Sequence, residues 1–324
     1  MKTSLKRLFV AGSLALLSSV VAAQSAYPNK QIRFVVPFAP GGGADISARV
    51  IATHMSASMG QTVIVDNKPG AGGVIGTDFV AKSPADGYTI ALGTIGPMAI
   101  NPHLFKKLPY DVTRDFAPIS LAGNALNVLV VNPSLPVKTV PELVAYVKNK
   151  DNQVAFGSSG NGATDHLAGE LFNTLTGAKM THVPYKGGTP AMLDLMSGHV
   201  QVVFATVSTA AGAIKGGKIR PLAMTGSKRY SEMPELPTIS ESGLPGFVVN
   251  NWYGVLAPAG TPPDVLARLN KELVAALKAP EVAAKMIESG IEPVSDTPAE
   301  FASYIKSESD KWAKIVRDSG ATAE

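Results

Sequence analysis

Short, almost purely apolar runs alternate with amphipathic ones along this chain. Residues 31–38 (QIRFVVPF) read as a buried strand, as do residues 62–65, 88–92, 127–131, 153–156, 181–184, 200–204, 219–224 and 252–256. Continuous apolar runs of this length, bounded by turn residues, mark strands covered on both faces. Helical spacing fills the intervals. A helix is predicted from about Ala44, with Ile46, Val50 and His54 or Met55 on one face. Thr139 and Glu142 have capping-box spacing and start a helix to about Lys150. Leu167, Leu171 and Leu175 recur every fourth residue and end at Gly177, a natural C-cap. Thr189-Pro190 opens a helix carrying Met192, Leu193 and Met196, and a short helix covers 207–215. Thr261 to Asp264 starts a helix to about Leu277, and Thr297 to Glu300 starts the last one, to about Arg317, with Trp312 on its buried face. Residues 231–246, rich in Pro and Gly, read as a connecting loop. The alternation predicts an α/β protein with parallel sheets flanked by helices.

The first residues break this pattern. Lys2, Lys6 and Arg7 precede a nearly uninterrupted apolar run from Leu8 to Leu17, and Val21-Ala22-Ala23 supplies small residues at the −3 and −1 positions of a cleavage site. This is the plan of a secretory signal peptide, and the run is shorter than the roughly 20 residues of a membrane span. Residues 1–23 are therefore expected to direct export to the periplasm and to be cleaved after Ala23. The remainder is expected to be soluble. With 324 residues and no cysteine, the chain is long enough for two domains and needs no disulfides. Its formal charge is +4, which by itself hints at an acidic partner such as nucleic acid. Removing residues 1–23 takes three from the 29 basic residues and none from the 25 acidic ones, leaving +1. No basic run survives, so no nucleic-acid partner is expected.

Catalytic motifs are missing. The histidines, His54, His103, His166, His182 and His199, show no metal-helix spacing, and no metal or cofactor is expected. Asp165-His166 near Ser158 and Ser159 invites a nucleophile triad, but Gly157-Ser158-Ser159-Gly160-Asn161 departs from G-x-S-x-G at its last position. Adjacent Asp and His also point to different helix faces. A secreted serine hydrolase is thus the weakest reading, and His166 reads as an interdomain or surface hydrogen-bonding residue. Neither glycine-rich stretch, 41–43 or 70–76, forms a dinucleotide or phosphate-loop motif.

Two local arrangements remain. Residues 34–45 and 156–166 each place a buried strand, a glycine-rich turn and a helix start in succession. Glycines let backbone approach a ligand closely, and unpaired N–H groups at a helix start hold anions. Neither turn contains Lys or Arg. A carboxylate would be held there by N–H and hydroxyl donors.

The motifs, taken in order, resemble the extracytoplasmic solute-binding receptors of tripartite tricarboxylate transporters, the Bug-type receptors. The resemblance runs over essentially the whole chain after residue 26. It rests on Pro37-Phe38-Ala39-Pro40-Gly41-Gly42-Gly43-Ala44-Asp45, Asn67-Lys68-Pro69-Gly70-Ala71-Gly72-Gly73 and Ser83-Pro84-Ala85-Asp86-Gly87-Tyr88. Gly157-Ser158-Ser159-Gly160-Asn161-Gly162 with His166-Leu167, then Val183-Pro184-Tyr185-Lys186-Gly187-Gly188 and Trp252-Tyr253-Gly254, complete it. It implies a bilobed, type II-like periplasmic-binding-protein architecture with mixed or parallel sheets and an interdomain ligand cleft. The lobes would be residues 27–123 plus 247–324, and residues 124–246, with crossings near Gly123 and Pro245.

Carried onto this chain, the resemblance implies ligand contacts from Phe38, Pro40, Gly41, Gly42, Gly43, Ala44 and Asp45, and from Ser158, Ser159, Gly160, Asn161, Gly162, Ala163 and Thr164. Thr94, Gly96, Tyr185, Lys186, Ala205 and Thr206 would complete the wall. Asp45 would cap its helix or meet an amino group of the ligand. Lys186 would supply a cation or simply be solvated. Ala163 stands where many relatives carry Ser, and Trp252 would pack the cleft floor or the hinge. The implied role is a receptor that takes a small carboxylate, a di- or tricarboxylate, an acidic amino acid or a similar organic acid, to the membrane permease subunits of the transporter; a monomer is the default expectation. A sensor kinase is the alternative partner.

Overall fold

The computed structural model describes residues 27–149, 154–230 and 232–319. The signal peptide expected over residues 1–23 lies outside the described residues, as do Lys150 and Gln153, the expected ends of one helix and one strand. The strands are β1 (Ile32–Val36), β2 (Val63–Asn67), β3 (Thr89–Thr94), β4 (Phe116–Ala125), β5 (Asn127–Val131), β6 (Ala155–Ser158), β7 (Thr181–Pro184), β8 (Val202–Thr206), β9 (Arg220–Met224), β10 (Asn251–Pro258) and β11 (Ile291–Pro293). The helices are α1 (Gly43–Met59), α2 (Val74–Ala81), α3 (Asn101–Leu104), α4 (Val140–Asn149), α5 (Thr164–Thr176), α6 (Gly188–Ser197), α7 (Val207–Lys215), α8 (Pro263–Lys278), α9 (Pro280–Glu288) and α10 (Pro298–Ser319).

These elements form two sheets with one strand plan. The first has the order β11-β4-β10-β3-β1-β2, the second β7-β6-β8-β5-β9. In the first, β1 is parallel to β2 and β3, and β10 is antiparallel to β3 and β4. In the second, β6 is parallel to β7 and β8, and β5 is antiparallel to β8 and β9. Read from the β2 and β7 edges, β1 matches β6, β3 matches β8 and β10 matches β5. The sheets are therefore mixed: β10 and β11 run against the other strands of the first sheet, β11 pairing antiparallel with β4, and β5 runs against the other strands of the second.

The chain leaves the first sheet between Ala125 and Asn127. It returns between Met224 and Asn251, the segment that contains the expected connecting loop. Gly123 itself still lies in β4, paired with Tyr253. Leu126 ties the crossing down: its N–H donates to Gly290 O at 2.9 Å and its carbonyl accepts from Val207 N–H at 2.8 Å.

Burial follows the sequence pattern with one systematic correction. In α1 the core-facing residues are Ala44, Ala48, Ile51, Ala52 and Met55, while Ile46, Val50 and His54 lie at the flank. The helix packs closely through alanines, so the inward stripe is set by small residues that a search for large ones passes over. Ile51 and Met55, burying their side chains completely, contribute roughly 1.5–3 kcal/mol each. In α5 the same effect makes Phe172 and Ala168 core and leaves Leu175 46% exposed. Trp252 packs edge-on against Phe301 and Tyr304 in the core, and Trp312 is buried on α10 as its pattern predicts.

Candidate functional site

The two sheets meet across a cavity of about 60 Å³. Its wall takes residues from both sides. Gly42, Gly43, Ala44 and Thr94 come from the first sheet's turns, and Ala163, Thr164, Asp165, Gly188 and Thr206 from the second's. Four helices begin there: α1, α5, α6 and α7. Their N-cap residues are Gly42, Ala163, Gly187 and Thr206, and none makes a side-chain capping bond. Uncapped helix starts leave first-turn N–H groups without an N-cap partner, although that of His166 in α5 donates to Asp165 Oδ1, and each start carries about +0.5 of a charge from the helix dipole. Thus the cavity is electropositive although no Lys, Arg or His among the described residues lines it.

The turns are held rigid from behind. Asp45 points away from the cavity wall. Its Oδ2 accepts from Gly41 N–H at 3.0 Å and Arg49 Nε at 2.9 Å, and its Oδ1 accepts from Asn67 Nδ2 at 3.0 Å. Burial pushes the Asp45 carboxyl up, but the bonds from Arg49, Gly41 and Asn67 outweigh it and hold the group below the ordinary carboxylate range. The second turn rests on two stacked imidazoles, His166 and His182, 4.0 Å apart. Gly162 N–H donates to His166 Nδ1 at 3.1 Å, and Ser158 Oγ lies 2.6 Å from His182 Nε2. Burial lowers His166 to about 4, and burial together with His166 lowers His182 to about 3, so both are neutral at pH 7. The Ser158–His182 contact has no acid behind it: His182 stacks between His166 and Phe156. Asp165 instead bonds Ser159, through its N–H and Oγ, both at 2.7 Å. No nucleophile, base and orienting acid come together here.

Of the residues expected to touch ligand, Phe38, Gly42, Gly43, Ala44, Thr94, Ser159, Ala163, Thr164, Ala205 and Thr206 line the cavity. Pro40, Gly41, Asp45, Gly96, Ser158, Gly160, Asn161, Gly162, Tyr185 and Lys186 do not. The Gly160 to Gly162 stretch faces the first half of the chain. A Cβ on Gly72 would collide with Asn161 O, and one on Gly96 would lie 2.8 Å from Gly162 O. Tyr185 turns its OH to Asp194 Oδ2 at 2.6 Å, and Lys186 is exposed. The wall also includes Ala39, Asn127, Asp165, Gly188, Val203, Phe204, Thr209, Asn251 and Tyr253, which sequence reasoning passed over. Asn127 and Asn251 open the matching strands β5 and β10. A polar residue heading an otherwise buried apolar strand was the available signal.

Comparison with known proteins gives a consistent answer. The family model described as tripartite tricarboxylate transporter family receptor matches residues 47–321. Protein BugT of Bordetella pertussis is 39% identical over 317 residues, covering 97% of each chain. The solved structure of R. palustris Rpa4515 with adipate has a TM-score of 0.89 at 38% identity, covering 91% of this chain and 99% of that one. MatC from Rhodopseudomonas palustris with bound malate has a TM-score of 0.86 at 31% identity, covering 90% of this chain and all of that one (100%).

Proposed function

The chain belongs to the tripartite tricarboxylate transporter receptor family, and from that premise we propose that it captures a small carboxylate in the cavity between its sheets and delivers it to the permease subunits of such a transporter. The observation that carries this reading is the set of four uncapped helix starts facing one cavity that, among the described residues, no cationic side chain lines. A carboxylate satisfies those N–H groups. Hydrogen bonds to a charged acceptor contribute roughly 1.5–3 kcal/mol each, enough for micromolar binding from a few of them. The relatives solved with adipate and malate support the same class of ligand.

On this reading the ligand contacts are Gly42, Gly43, Ala44, Thr94, Ser159, Thr164 and Thr206, and the receptor performs no reaction. The lobes are those built on the two sheets, and the first crossing falls between Ala125 and Asn127 rather than at Gly123, since Asn124 and Ala125 still pair within the first sheet. Ligand is trapped when they close, and residues 1–23 are removed on export to the periplasm. Isothermal titration of the exported protein against di- and tricarboxylates, acidic amino acids and aromatic acids tests the assignment. One-to-one binding of at least one carboxylate is expected, and binding of none overturns it. Capture of permease subunits from membranes by the liganded receptor tests the partner.

A further inference from the structure

Each half of the molecule places an aspartate in the first turn of the helix that follows its first parallel strand, and only one of the two is neutralised. Asp45 in α1 has Arg49 beside it, with Arg49 Nη2 2.9 Å from Oδ1. Asp165 in α5 has no such partner. Its bonds come from neutral groups: Ser159 N–H and Oγ–H to Oδ2 at 2.7 Å, and His166 N–H to Oδ1 at 3.0 Å. The adjacent His166 ring is committed to Gly162 and is held neutral. Burial drives the Asp165 carboxyl up to about 6 against the pull of those bonds, so near pH 7 the group is mostly ionised.

A second, independent observation lies on the same wall. Asn127, 2% exposed, has a buried side-chain oxygen with no hydrogen-bond partner. A buried, unpaired acceptor of this kind costs about 1–3 kcal/mol unless a donor reaches it. Asn127 and Asp165 thus bring an unpartnered acceptor and a carboxylate to the wall of the same cavity. Charge points the same way. Four helix starts at about +0.5 each, against −1 for Asp165, leave room for about one negative charge from a ligand. A dicarboxylate without a cation brings two.

We propose that Asp165 is a specificity-determining residue, which makes the cavity select carboxylates that also carry a protonated amine over unsubstituted dicarboxylates of the same length. The proposal rests on the receptor reading above and narrows it. The amine meets Asp165 and the Asn127 oxygen, while the carboxylate takes the helix-start N–H groups.

Titration at pH 7.5 with matched pairs tests it: aspartate and succinate, glutamate and glutarate, 2-aminoadipate and adipate. In the unaltered protein the amino member of the pair that fits is expected to bind at least tenfold more tightly. Asp165→Asn keeps an oxygen for the Ser159 N–H but removes the charge, and is expected to reduce that ratio at least tenfold. Tighter or equal binding of the unsubstituted member overturns the inference without any variant, and so does an unchanged ratio in Asp165→Asn protein with native circular dichroism. Either result leaves the carboxylate-receptor reading standing. Failure of every carboxylate to bind overturns both.

Discussion

Gly162 donates its N–H to Nδ1 of His166 across 3.1 Å, inside a buried turn. Only a neutral imidazole accepts there, so the ring proton sits on Nε2, and protonating Nδ1 breaks the bond. The folded-state values of His166 and His182, about 4 and about 3, lie below the ordinary 6.5 because burial penalises the charged ring. The unfolded chain therefore binds more protons as pH falls below 6.5, and stability falls with it. Asp165, raised to about 6, opposes this because the folded protein takes up its proton first. Two depressed histidines outweigh one raised carboxyl. A net loss of roughly 2 kcal/mol is expected between pH 7.5 and pH 5. Chemical denaturation at the two pH values measures it, and equal stability would show that the histidine stack is not coupled to folding.

Gly42 and Gly43 are adjacent in the first turn but face different surroundings. A Cβ on Gly42 meets nothing within 4 Å, whereas one on Gly43 would lie 2.6 Å from Tyr253 Oη and closer still to Ser208 Oγ. Gly42 has φ −87° and ψ 170°, backbone that any residue adopts. Gly42→Ala should leave stability within about 0.5 kcal/mol and weaken ligand binding about tenfold, because its methyl occupies ligand space. Gly43→Val should weaken binding further and also lower the melting temperature, since it pushes α1 away from α7. Titration and thermal melts of both variants check the contrast, and equal effects from the two would contradict it.

The strand–helix order was legible in the sequence because buried strands are uniformly apolar and their turns carry Gly and Pro. Where that logic lapses, elements were missed. β4 contains Pro118, Ser120 and Asn124 and does not read as a buried strand, and α9 follows α8 so closely that the two blur. The inward faces of α1 and α5 were misjudged because alanine and glycine make the closest contacts. The cavity was half legible: the glycine-rich turns announced themselves, but Asn127, Asn251 and Tyr253 converge only through sheet pairing across more than a hundred residues. No local motif records that.

Asp45 organises the first turn from behind. Asp45→Ala leaves the Gly41 N–H, the Asn67 amide and the Arg49 guanidinium without their shared acceptor. A loss of about 2–3 kcal/mol is expected for so buried a carboxylate. Arg49→Ala should cost less, about 1 kcal/mol, because half of the Arg49 side chain is already in solvent. The Asp45 contribution is complete above the ordinary carboxylate range and is lost as pH falls through the group's lowered folded value. Urea denaturation of the two variants at pH 7 tests the order; a larger loss from Arg49→Ala would mean that the charge, not the cap, holds the turn.

Gly72 separates backbone strain from contact between the lobes. Its φ of 61° is left-handed, and a Cβ there would collide with Asn161 O of the opposite turn. Gly60, at the end of α1, has nearly the same φ of 66° and nothing within 4 Å of a Cβ. Alanine at either position carries a similar conformational cost, about 1–2 kcal/mol. Only at Gly72 does it also block the two turns from meeting. Gly60→Ala should therefore destabilise the fold and leave affinity unchanged, whereas Gly72→Ala should destabilise it about as much and weaken ligand binding at least tenfold. If closure around ligand needs this contact, small-angle X-ray scattering should record ligand-dependent compaction in Gly60→Ala and none in Gly72→Ala. Equal affinity in the two variants would mean that the ligand is held without the turns closing on each other.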